Sequence, residues 1–140
     1  MVAASEVLRN VPEDAYSWFG DATNPPATLI VNASKGGFPV EMLCETYGLY
    51  PKILGWHGAP WDVTVFHPGP LAEQTKEFLR SVLSTVSSLE VHCSNGKPYK
   101  HVLHVMFDGE LIADTQSTCF YNWFGAKAAE VRQNDWLAPE

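Results

Sequence analysis

No CxxC pair, no cluster of lysine or arginine and no long apolar run occurs in this 140-residue sequence, and each absence removes a class of function. Cys44, Cys93 and Cys119 are odd in number and fit neither a zinc ribbon nor a redox dithiol. Reduced thiols are the expectation, and no metal site is expected. The formal net charge of −7 is carried by scattered Asp and Glu, which leaves no phosphate-neutralising surface and argues against DNA or RNA as a partner. No stretch approaches the roughly 20 apolar residues that span a bilayer. The start, MVAASEVLRNVPEDAYSW, is acidic early and apolar only in pieces, unlike a signal peptide. No membrane contact and a cytoplasmic location are the corresponding expectations. The Walker pattern is missing as well, so Ser34-Lys35-Gly36-Gly37 reads as a turn and no cofactor is expected.

What is present favours a packed core. Apolar residues make up 46% and charged residues 18%, and the length suits a single domain spanning residues 1–140. Residues 1–26 read as an N-terminal helical arm, with Pro12-Glu13-Asp14 as a helix start, and residues 27–140 as an α/β body. Thr28 to Ala33 is a β-branched apolar run expected as a buried strand. Pro39 to Tyr47 places Val40, Leu43, Cys44 and Tyr47 on one helical stripe, ended by Gly48. The next segment, LYPKILGWHGAPW, is dense in Gly, Pro and aromatics and reads as a structured loop.

From Asp62 to Phe66 the pattern alternates as a strand does. Leu71 to Val86 carries Phe78, Leu79, Val82 and Leu83 at the spacing of an amphipathic helix whose inner side is core. Residues 89–93 and Tyr99 to Phe107 read as strands around an Asn95-Gly96 turn, and Asp108-Gly109 turns the chain back into ELIADT. Ser117 or Thr118 can cap a final helix bearing Phe120, Trp123, Phe124 and Val131. No internal repeat is visible.

The order strand, turn, helix, strands and helix over residues 61–131 resembles the thioredoxin-like fold, in particular its selenoprotein W type. A ferredoxin-like sandwich shares the same alternation. Either implies an α+β two-layer domain with a small mixed sheet. At the turn where that family carries its dithiol, this chain has His67-Pro68-Gly69-Pro70, so the resemblance implies the scaffold without the redox chemistry.

Candidate site residues concentrate between 47 and 67. Tyr47, Tyr50, Trp56, Trp61 and Phe66 offer apolar area and polar handles for a ligand. His57 and His67 can exchange protons near neutral pH. Cys119 falls in the first turn of the expected last helix, where dipole and free amides stabilise a thiolate. His101 and His104 are three apart on a strand and so face opposite ways; His92 has no evident partner. Two functions follow. One is a non-redox module binding a protein partner or a small apolar or aromatic ligand. The other is a small cofactor-independent isomerase, cyclase or hydrolase with a histidine as acid/base.

Overall fold

The protein is described here by a computed structural model covering residues 2–21, 24–45, 48–54, 56–57, 61–62, 68–107, 109–117 and 124–138. Helix α1 (Val2–Leu8) turns Ala3, Ala4, Val7 and Leu8 inward, a stripe at three- and four-residue spacing. Pro12 then opens a single 3-10 turn, Glu13–Ala15. The chain continues as strand β1 (Tyr16–Asp21), antiparallel to β2 (Asn24–Val31), so the second half of the expected helical arm is extended. A bulge between Gly20 and Asp21 bends β1. Gly20 has φ 90°, and a Cβ there would lie 2.8 Å from the carbonyl oxygen of Pro26, which leaves glycine as the residue that fits.

Strands β3 (Val40–Cys44) and β4 (Gly48–Ile53) extend this sheet, and the short strands β5 (Trp56–His57) and β6 (Trp61–Asp62) both pair with β4. The helix expected over 39–47 is therefore corrected to strand. Val40, Met42 and Cys44 are buried while Glu41 and Leu43 are less so, a period of two imposed by the partners on either side. The loop expected over 49–61 is likewise corrected: most of its described residues form β4, β5 and β6.

Helix α2 (Pro68–Val82) follows, starting earlier and ending earlier than its apolar spacing suggested. Its Phe78, Leu79 and Val82 are fully buried, as is Leu83 just beyond. The second sheet has the order β10-β7-β8-β9, with β7 (Ser88–Ser94), β8 (Lys97–Phe107), β9 (Glu110–Ser117) and β10 (Lys127–Arg132). The two expected hairpins are present. Asn95 and Gly96 both have positive φ, 51° and 78°, as a two-residue turn between right-twisted strands requires. The closing helix is corrected over its described part, because Lys127–Arg132 pairs antiparallel with β7.

The result is an α+β structure, mostly strand, in two sheets with two helices. The mixed sheet expected from sequence is corrected too: among the described residues every strand pairing is antiparallel. A single core joins α1, both sheets and α2. Lys76 of α2 holds α1 through Glu6 at 2.8 Å, and Ser81 of α2 bonds Ser87 and accepts the Met106 amide of β8 at 3.0 Å.

After β10 the chain crosses back to the first sheet. Asn134 is fully buried there, and its amide uses both ends. Oδ1 accepts from the backbone N–H of Ser34 (3.2 Å) and Phe38 (3.1 Å), and Nδ2 donates to the carbonyls of Phe38 and Val82, both at 2.9 Å. Trp136 Nε1 donates to the Asn32 carbonyl at 2.7 Å and the Leu137 amide to that of Leu83 at 2.9 Å. This segment links the β2–β3 loop to the end of α2.

Candidate functional site

The outer face of the second sheet holds the most concentrated chemistry among the described side chains. Antiparallel register places Ser88 opposite His104, Glu90 opposite Val102 and His92 opposite Lys100, so Glu90, His92 and His104 share one face. The reverse face carries Leu89, Val91, Leu103 and Val105 into the core. This parity depends on a bulge. Ser94 pairs with Lys97 and Cys93 with Pro98, but His92 pairs with Lys100, which makes Tyr99 the extra residue. Without it Glu90 would stand opposite His101, and His104 would turn to the core side. The Tyr99 ring meets the edge of His92, with centroids 6.3 Å apart at 60°.

Two imidazoles thus converge on one carboxylate oxygen. His104 Nε2 lies 3.4 Å from Glu90 Oε2 and His92 Nε2 lies 3.7 Å from the same atom. The hydrogen bond from His104 is the main reason the Glu90 carboxyl is held below the usual carboxylate range; partial burial opposes it, and His92 adds to it. At 3.7 Å the second contact is too long for a hydrogen bond, and His92 Nε2, shielded from solvent, has no such partner. On the other face His101 is pushed down by burial first, then by Arg132 and His92.

Beside this centre the outer face also presents large apolar side chains. Val131 of β10 stands opposite Glu90 and Leu111 of β9 opposite Met106; they are 60% and 58% exposed. Sequence reasoning passed over Glu90 and left His92 without a partner because no local spacing joins them to His104. The signal was the Asn95-Gly96 hairpin, which would have paired the two strands but not revealed the bulge.

Of the residues singled out from sequence, four are brought to one strand. Tyr50 lies in β4 and is exposed; the backbone pairs Trp56 with Ile53, His57 with Lys52 and Trp61 with Leu49. Tyr47, Phe66, His67 and Cys119 lie outside the described residues. The described thiols are free: Cys44 is buried, which pushes its thiol up, and Cys93 is half-buried. Among the described residues no group of three or more His, Cys, Asp or Glu is placed to hold a metal ion, and no helix is long and apolar enough to cross a membrane. Compared with protein families, curated proteins and solved structures, the chain matches none.

Proposed function

We propose that this protein is a non-redox binding module, and that a protein partner docks on the outer face of the second sheet. One observation carries the reading: with the inner face committed to the core, the outer face still presents Val131 and Leu111 beside the half-buried Glu90, His92 and His104. Large exposed side chains flanking desolvated polar groups are what an interface core and its specificity contacts are made of. The scaffold read from the sequence, thioredoxin-like or ferredoxin-like without a dithiol, enters this proposal only as an α+β frame, since β10 stands where a closing helix was expected. Residence in the cytoplasm belongs to the same proposal.

The expected result is that Val131→Asp or Leu111→Asp weakens the partner by about 2 kcal/mol, the cost of losing an anchor, with the fold unchanged by circular dichroism. Equal affinity in both variants, together with loss in Tyr50→Ala, would move the surface to β4 and its flanking strands. The enzymatic reading also has a specific observation behind it, the His104–Glu90 contact at 3.4 Å, in which a carboxylate orients an imidazole. Its test is a turnover that falls about 100-fold in His104→Gln.

A further inference from the structure

The three ionisable groups on the outer face are out of balance. One carboxylate oxygen serves two imidazole nitrogens, and among the described side chains the neighbouring strands bring little to offset them. On β8 the nearest charge is Lys100, opposite His92. On β10 the residues opposite Glu90 and His92 are Val131 and Ala129, and on β9 those facing His104, Val102 and Lys100 are Ala113, Thr115 and Ser117, all uncharged. Lys127 is turned to Ser94 and the Gly125 carbonyl. His101, Glu130 and Arg132 stand on the reverse face, the side on which α2 packs.

We propose that Glu90, His92 and His104 form a proton-linked switch whose own charge goes from one negative to one positive as both imidazoles fill. Its existence does not depend on the binding reading; its consequence, a partner grip that changes with pH, rests on it. Glu90 is held low chiefly by the hydrogen bond from His104, so its carboxyl keeps its charge while the imidazoles gain theirs.

The geometry makes the two protons unequal. His104 is already within reach of Oε2, so its proton meets an acceptor in place. His92 has none, and its charged form gains a hydrogen bond only if the 3.7 Å gap to Oε2 closes. Closing it draws the His92 ring toward Glu90 and changes its edge contact with Tyr99, the bulged residue that sets the register. The second proton is thereby coupled to the β7–β8 hairpin.

The test is a pH titration of the full chain by NMR, with labelled histidine rings and glutamate carboxyls. In the wild type the Glu90 carboxyl carbon should respond in the same window as both rings, and the Tyr99 ring should follow His92. Glu90→Gln should lower the proton affinity of both rings about fivefold or more, the effect of a charge at this distance even in high dielectric. His104→Gln should let His92 take its proton at higher pH than in the wild type. A Glu90 carbon flat while both rings titrate overturns the switch from the wild type alone, whether or not the variants fold. So do rings that titrate independently of each other and are unmoved by Glu90→Gln. Independent rings with binding still lost in Val131→Asp remove the switch and keep the binding reading; coupled rings with Val131→Asp and Leu111→Asp both binding normally do the reverse.

Discussion

The outward faces of the two sheets treat charge differently. In the first, Glu41 of β3 stands directly opposite Lys52 of β4, an acid facing a base across one rung. In the second, Glu90 is outnumbered by His92 and His104 on the same oxygen. The first arrangement is neutral at any pH where both residues are charged. The second changes sign with protonation. Two sheets built on the same core thus differ in what their outer faces can respond to.

The largest expected effect tests whether they do share that core. Phe78→Ala should cost roughly 3 to 5 kcal/mol in urea unfolding, because a buried aromatic leaves a cavity among residues of both sheets. A loss below about 1 kcal/mol, the level of ordinary substitutions, would separate the sheets energetically. Next comes the link between them. Asn134→Ala strands two backbone N–H groups and two carbonyls, at a cost of about 3 kcal/mol. Gly37 sharpens this, since a Cβ there would run into Asn134 Oδ1. Gly37→Ala should cost about 2 kcal/mol, the scale of an overpacked site, in the wild type and much less in Asn134→Ala. Additive losses would mean that the two residues do not meet.

The effect on the outer face is smaller and depends on pH. Because the folded-state carboxyl of Glu90 is depressed, its stabilisation is present above the unfolded carboxylate value, near 4.3, and is lost as pH falls through the lower folded value. Stability curves of wild type and Glu90→Gln, compared from pH 7 to pH 2, should therefore converge at the acid end. A gap that goes on widening below the unfolded carboxylate value would reverse the sign and contradict the contact. Tyr50→Ala, on the first sheet's exposed side, should change stability by no more than about 0.5 kcal/mol.

What the sequence disclosed follows the same division. The hairpins of the second sheet were legible because Asn95-Gly96 and Asp108-Gly109 are turns with their own chemistry, and α2 because Phe78, Leu79, Val82 and Leu83 recur at helical spacing. Strand β3 was not, since Val40 and Cys44 belong to both a 3.6-residue and a 2-residue pattern. The choice was made by β2 and β4, which lie beyond any local window. Lys127–Arg132, KAAEVR, has the composition of a helix and is a strand because β7 offers it a partner. The histidine site was hidden for a related reason: one extra residue, Tyr99, decides whether His101 or His104 joins Glu90. The aromatic segment from 47 to 67 was recognised as unusual, and its described residues do gather along β4, but as strands rather than loop.

The most direct measurement of the central claim is photo-crosslinking of the partner from single positions on the folded protein. Probes at Ala129 and Thr115 report the outer face of the second sheet, one at Tyr50 reports the first sheet, and one at Glu73 on α2 is a control. One and the same partner should be captured from 129 and 115, with neither 50 nor 73 capturing it. Capture from 50 with silence at 129 and 115 would contradict it.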